Sequence, residues 1–182
     1  MSLIIVTGQP RSGTSLMMRM LAESGIPVVA DENRSYETRL TNGLPGNSEW
    51  IFQVPDGAAV KVLYPQVLSL PAGPSYRFLW MARNPREQAK SQRKFTGFPR
   101  QWIAPRVKYI KKVEAAAPRF LSKFGDQDVL KVSFDYVVET GDISEVNRWL
   151  GRPLNVASLK IRDPKCSGLP VGVLETSVGA SI

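Results

Sequence analysis

The sequence predicts an α/β fold, a parallel sheet flanked by helices, and three observations carry that prediction. Short apolar runs alternate with helical segments along most of the chain. The run Tyr76 to Ala82 is apolar on both faces, as a strand in the middle of a parallel sheet must be. A glycine-rich turn, Thr7-Gly8-Gln9-Pro10-Arg11-Ser12-Gly13-Thr14-Ser15, joins an apolar strand to a helix.

Taken in order, Leu3 to Val6 reads as a buried strand, and Thr14 to about Glu23 as a helix stopped by Gly25-Ile26-Pro27. Val28-Val29 is a short strand or an extended link. Residues 31–48 are rich in turn formers and read as a long polar loop, of the length that functional lids have. Trp50 to Val54 is a short helix or an edge strand, Ala58 to Leu63 the second core strand, and Pro65 to Leu70 a short helix. Tyr76 to Ala82 is the third strand. Pro85 suits the first turn of a helix that runs to about Phe95 and breaks at Gly97-Phe98-Pro99. Residues 101–124 read as a helix interrupted near Pro105 and Pro118. Val129 to Ser133 is the fourth strand. Asp142-Ile143-Ser144-Glu145 has the capping-box pattern for a helix through Leu150, ended at Gly151. The expected organisation is one domain over residues 1–182, with 154–182 a loosely structured tail.

Composition narrows the class. A chain of 182 residues builds a single core. No apolar run approaches the roughly 20 residues of a membrane helix. Arg11 interrupts the first apolar run too early for a signal peptide. Cys166 is the single cysteine, so no internal disulfide forms and a cytoplasmic setting is the default. The net charge of +8 is uneven: residues 83–124 carry twelve basic and two acidic side chains, and the flanks are near balance. Such an excess suits a nucleic-acid surface, a multiply anionic ligand or a solvated helix face.

The turn at Gly8 to Ser15 is where chemistry concentrates. Backbone N–H groups of such a turn converge on one point, and the helix N-terminus adds roughly half a positive charge there. A nucleotide-triphosphatase loop requires G-x-x-x-x-G-K-[ST]. Gly8 and Gly13 have that spacing, but Thr14 stands in the lysine position and the cation is Arg11, inside the loop. A planar guanidinium grips phosphate or sulfate oxygens in pairs. The third strand ends in a second cationic turn, Arg83-Asn84-Pro85-Arg86, with Ser91 on the following helix. Ligands of open parallel sheets sit beyond the strand C-termini, where both turns fall. No acidic residue ends that strand, so the usual magnesium ligand of phosphate-transferring relatives is missing. A ligand with two spaced phosphates satisfies both turns.

These motifs bring a resemblance into view. Gln9 to Ser15 looks like the 5′-phosphosulfate loop of sulfotransferases, in the Pro-Arg-Ser-Gly-Thr-Ser form of compact bacterial members. Arg83-Asn84-Pro85-Arg86 with Ser91 looks like the family's 3′-phosphate motif. Phe134-Asp135-Tyr136 through Trp149-Leu150-Gly151-Arg152-Pro153 is similar to its later strand and helix. The resemblance runs from Leu3 to Pro153. It implies the nucleotide-kinase-like P-loop fold and the donor 3′-phosphoadenosine 5′-phosphosulfate (PAPS), used without a metal. It places the 5′-phosphosulfate on Arg11, Ser12, Gly13, Thr14 and Ser15, and the 3′-phosphate on Arg83 and Ser91. The reaction it implies is transfer of a sulfuryl group to a hydroxyl or amine.

The same resemblance makes Arg11 the cation at the leaving oxygen, where many members have lysine; Lys61, at the end of the second core strand, points toward the site by its place in the topology. The base is a histidine in some members, and this chain contains none. The carboxylates of the 31–48 loop and Glu49 remain, with Glu37 first and Glu32 second. Tyr36, Trp50, Phe52 and Trp102 are candidates to line the acceptor pocket. The family's Arg-Lys-Gly segment is not matched by Lys160-Ile161-Arg162-Asp163-Pro164-Lys165, of which Arg162 or Lys165 is the nearest substitute. Two rival readings stand beside this one. A small-molecule kinase with the same fold lacks its loop lysine and its strand-end aspartate. A non-enzymatic polyanion module would bind through the cations between Arg93 and Lys112, and Trp102 and Tyr109 lie among them. The reading therefore names no membrane and no nucleic acid as partner, but an unidentified acceptor, anionic if the basic run recruits it.

Overall fold

A computed structural model describes residues 2–30, 49–124, 128–160 and 173–174. Six parallel strands form one sheet in the order β5-β4-β1-β3-β2-β6. They are β1 (Leu3–Gly8), β2 (Val28–Val29), β3 (Ala59–Lys61), β4 (Tyr76–Ala82), β5 (Asp128–Ser133) and β6 (Val173–Leu174). β1 is central, with Ile5 opposite Val60 of β3 and Phe78 of β4.

Alternation along β1 divides the core in two. Ile4 and Val6 face a cluster that holds Met17, Met18, Met20 and Leu21 of α1 (Thr14–Glu23). Leu3 and Ile5 face the opposite cluster, with Val113, Ala117 and Leu121 of α3 (Ile103–Leu121). On that side Trp80 of β4 packs against Phe120, and Tyr76 and Phe78 pack against Phe124. α2 (Pro85–Thr96) follows β4, with Asn84 accepting from the N–H groups of Arg86 and Glu87 and Pro85 at the first position. Among the described residues no helix is long and apolar enough to cross a membrane.

Several expectations need correction. The prolines do not break α3. Pro105 lies in the first turn, where its missing N–H has no helical partner to lose. Pro118 sits inside the helix, which continues to Leu121 because Ala117 and Leu121 are buried on either side of it. Other expectations hold: the short helices expected at Trp50 to Val54 and Pro65 to Leu70 are 3₁₀ helices over Glu49–Gln53 and Gln66–Ser69, and Val28–Val29 is a strand, one of its two expected forms. Asp142 caps α5 (Ser144–Leu150) one step earlier than the box pattern implies, accepting from the Ser144 N–H. That bond is the first of the interactions that hold its carboxyl below the usual value. A helix not foreseen, α4 (Phe134–Thr140), starts directly at the end of β5. In the region expected as a tail, Leu154 is buried in the α1 cluster and Val173–Leu174 pairs with β2. The long loop 31–48 lies outside the described residues.

Candidate active site

The site is built where β1 and β4 end side by side. Their pairing runs to Gly8 opposite Met81, so the turns that follow emerge together. Gly8 has φ 145°, and a Cβ there would come within 2.4 Å of the Met81 carbonyl oxygen. Only glycine lets the two backbones approach this closely. The turn closes with the Ser12 N–H donating to the Gln9 carbonyl at 3.2 Å. Gly13, at φ 102°, ends it and starts α1; its carbonyl accepts from the Leu16 and Met17 N–H groups, and the N–H groups before Leu16 have no acceptor within the helix.

Arg11 lies at the crest with φ 67°, the one non-glycine among the described residues in the left-handed region. That conformation costs roughly 1–2 kcal/mol for an L-residue. Its guanidinium is exposed. Nε donates to the Ser91 hydroxyl at 3.1 Å, and the group lies over the Phe95 ring at 5.5 Å. The strain aims a cation out of the turn rather than into the core.

Arg83 is the neighbouring cation. Its Nη1 lies 3.5 Å from the Arg11 carbonyl. Its guanidinium stacks on the Phe134 ring at 4.8 Å, and Asp135 pairs with it at 3.6 Å. Asp135 also accepts from the Asn84 N–H, so one carboxylate holds both residues of the turn. The two cationic turns therefore touch. Ser91 was expected beside Arg83, but in this structure its hydroxyl meets Arg11 instead.

Lys61, at the end of β3, is buried, and its Nζ donates to the Ser15 hydroxyl at 3.1 Å. It reaches the first turn of α1 from the sheet. Thr14 and Ser12 are buried in the turn. Glu37, Glu32 and Tyr36 lie outside the described residues, as do Arg162 and Lys165. Trp50 packs against the β3 side of the core, whereas Phe52 and Trp102 are more than half exposed. Trp102 lies 6.4 Å from Phe98, ring to ring.

Three glutamines fix the turn: Gln9 within it, and two on α2 that the sequence did not single out. Gln88 and Gln92 of α2 are buried and donate to the Pro10 carbonyl at 2.9 and 2.6 Å. Gln9, also buried, donates to the Ile110 carbonyl of α3 at 3.1 Å. Arg106 of α3 donates in turn to Gln92 Oε1. The helix that carries Ser91 is thus tied to the turn that carries Arg11. Exchange of Gln88 and Gln92 together for leucine strands the Pro10 carbonyl, a loss of about 1–3 kcal/mol. We expect a lower unfolding midpoint in denaturant, and weaker retention of a two-phosphate ligand than of a one-phosphate ligand. Equal weakening of both would mean that the clamp does not set the spacing of the turns.

The residues present fit a doubly anionic ligand. Two arginines share one rim. The Ser12 hydroxyl and the Arg83 Nε are buried atoms without a hydrogen-bond partner among the described residues. Such groups are costly to bury unless something bonds them. The Arg83 Nε faces the Asp135 carboxylate at 3.6 Å, and the Ser12 hydroxyl lies inside the turn.

No protein-family profile matches the sequence, and no curated protein matches it. Solved structures do match in shape. A sulfotransferase domain from the curacin biosynthetic pathway is 16% identical with a TM-score of 0.56, over 92% of this chain and 81% of that one. A mouse sulfotransferase complexed with PAP is 14% identical with a TM-score of 0.53, over 85% of this chain. A retinol dehydratase in a complex with retinol and PAP is 16% identical with a TM-score of 0.50, over 86% of this chain. The chain spans 60% and 62% of the length of the latter two. At these identities the likeness concerns architecture: the chain has the fold of these sulfotransferase structures, with its glycine turn and Arg83 side by side beyond the strand ends.

Proposed function

We propose that the protein is a sulfotransferase that moves a sulfuryl group from PAPS to a hydroxyl or amine. The observation that carries this reading is the 3.5 Å approach of Arg83 to the Arg11 carbonyl, which sets two cationic turns on one rim. Residues 1–182 act as one domain, and the reducing cytoplasm is its setting. The donor supplies the sulfuryl group and leaves as adenosine 3′,5′-bisphosphate.

The chain's own residues bind and stabilise. Ser12, Gly13, Thr14 and Ser15 offer N–H and hydroxyl donors to the 5′ end. Arg83 and Ser91 hold the 3′-phosphate. Arg11 and the α1 N-terminus stabilise the negative charge that develops on the leaving oxygen. Lys61 fixes the Ser15 hydroxyl and adds positive charge behind it. Glu37, with Glu32 second, takes the acceptor proton. No step requires a metal.

The test is ligand-induced stabilisation. Adenosine 3′,5′-bisphosphate should raise the melting temperature without magnesium, and by more than ATP does. Equal shifts, or a shift that needs magnesium and ATP, would favour a kinase. Arg83→Ala should weaken the bisphosphate about 10- to 100-fold, the worth of one charge-assisted contact, and leave adenosine 5′-phosphate nearly unaffected. Similar losses for both ligands would remove Arg83 from the 3′ position.

A further inference from the structure

We propose that residues 93–102, the last turn of α2 and its link to α3, dock the protein on an anionic lipid bilayer. Phe95, Phe98 and Trp102 enter the interface, and Arg93, Lys94 and Arg100 meet the headgroups. No helix among the described residues is long and apolar enough to span a membrane, but attachment to its surface needs no span. The proposal concerns attachment alone and does not rest on the sulfotransferase reading.

The sequence makes this segment project. Gly97, in the left-handed region at φ 74°, ends α2, and its N–H donates to the Arg93 carbonyl at 2.8 Å. Pro99 then leads into a 3₁₀ turn, Arg100–Trp102, closed by the Trp102 N–H on the Pro99 carbonyl at 3.0 Å. Both bonds lie within the segment, so its shape is set locally. Every residue from Arg93 to Trp102 is exposed. Phe95, Phe98 and Trp102 are 75%, 51% and 57% exposed. Single exposed apolar residues are ordinary, but three large rings grouped on one short stretch mark a contact site.

Charge identifies the partner. Arg93 and Lys94 precede the rings, Arg100 stands between Phe98 and Trp102, and no acidic residue occurs between Glu87 and Glu114. Apolar rings bordered by cations match the two layers of a bilayer surface. Phenylalanine has no polar handle and goes to hydrocarbon, and tryptophan belongs at headgroup level. Arginine and lysine stems follow the rings while their charges stay among the headgroups. Anionic lipid of a cytoplasmic leaflet completes the match. A single-stranded nucleic acid also supplies negative charge, but it needs ring faces open to its bases. Phe98 and Trp102 pack against each other at 6.4 Å and 30°. Phe95 has the Arg11 guanidinium over its ring at 5.5 Å. One face of each ring is therefore taken, and what stays open suits acyl chains. The Phe95 contact also sets the orientation, because the rim that carries Arg11 then faces the headgroups.

The test is sedimentation with vesicles of phosphatidylcholine in which about one-third of the lipid is phosphatidylserine. The protein should bind these vesicles, and phosphatidylcholine alone much more weakly. Phe98→Ser with Trp102→Ser should weaken binding about tenfold or more. Lys94→Glu with Arg100→Glu should weaken it about 10²–10³-fold. Trp102→Phe should still bind, but should lose the blue shift of tryptophan emission that accompanies binding of the unaltered protein. All these side chains are exposed, so denaturant midpoints should be unchanged. The melting shift with adenosine bisphosphate should be unchanged too, which separates this proposal from the transferase reading. No binding to the anionic vesicles, equal binding to both kinds, or binding that survives the serine pair overturns the proposal. So does an emission shift that persists in Trp102→Phe. A thymidine oligonucleotide that binds more tightly than the vesicles, through Phe98 and Trp102, would assign the segment to nucleic acid instead. Self-association abolished by the serine pair would assign it to a second copy of the chain.

Discussion

Replacement of Arg11 by alanine should cost about 10²–10³ in turnover, the usual loss on removal of one preorganised donor at a developing oxyanion. Replacement by lysine should retain much of it, because the charge stays although the paired donors go. Stability should move the other way. The backbone at this position, φ 67°, belongs to glycine. Arg11→Gly removes a strain of roughly 1–2 kcal/mol, at the expense of about 0.5–1 kcal/mol in extra unfolded-state freedom. Alanine keeps the strain and gains nothing. The glycine variant should therefore unfold later than the alanine variant while both lose about 10²–10³ in turnover. Turnover and denaturant midpoints of the three variants give the comparison. An alanine variant that unfolds later than the glycine one would mean that this residue is not held left-handed, and a fully active Arg11→Ala would remove it from the chemistry.

The Ser91 contact adds a second readout to the same series. Arg11 Nε donates to the Ser91 hydroxyl at 3.1 Å. Ser91→Ala frees the guanidinium without touching its charge. A change in donor affinity with unaltered denaturant midpoint would place Ser91 among the ligand's contacts.

How much of this was legible beforehand depends on the range of the interaction. β1, α1 and the turn between them are local: an apolar run, two glycines at fixed spacing and a Gly-x-Pro stop specify them without distant help. Arg83 could be placed because the end of a buried strand is also local. α4 was missed because it has seven residues, carries Val137 and Val138, and takes its cap from Ser133, which is also the last residue of β5. Its two leading residues are those that tie the turns together. Gln88 and Gln92 were missed for another reason. A glutamine on a charged helix reads as solvated, and only the fold reveals that both are buried. The hint in the sequence was their i, i+4 spacing around Ala89 on an otherwise polar helix. Pro118 was misread because a local rule against proline in helices yielded to the packing of Ala117 and Leu121.

The largest effect on structure is expected from Gly13→Ala. A Cβ at Gly13 would stand 2.1 Å from Cδ2 of Phe134 and within 3 Å of two more ring atoms, on a backbone at φ 102°. Overpacking and the left-handed backbone together make a destabilisation of about 2–4 kcal/mol. The ring cannot move alone, because the Arg83 guanidinium lies on it and Asp135, next in sequence, pairs with that arginine. A single methyl in the 5′ turn should therefore displace the 3′ cation as well. The bisphosphate should lose affinity at both ends, unlike Arg83→Ala, which spares adenosine 5′-phosphate. Phe134→Ala in the same chain removes the clash but not the backbone strain, so it should recover part of the stability and little of the binding. A double-mutant cycle on denaturant midpoints measures the coupling, which for touching residues runs to about 0.5–3 kcal/mol. Additive midpoints would mean that Gly13 and Phe134 are not in contact. The two anion positions would then be independent turns rather than one rigid grip.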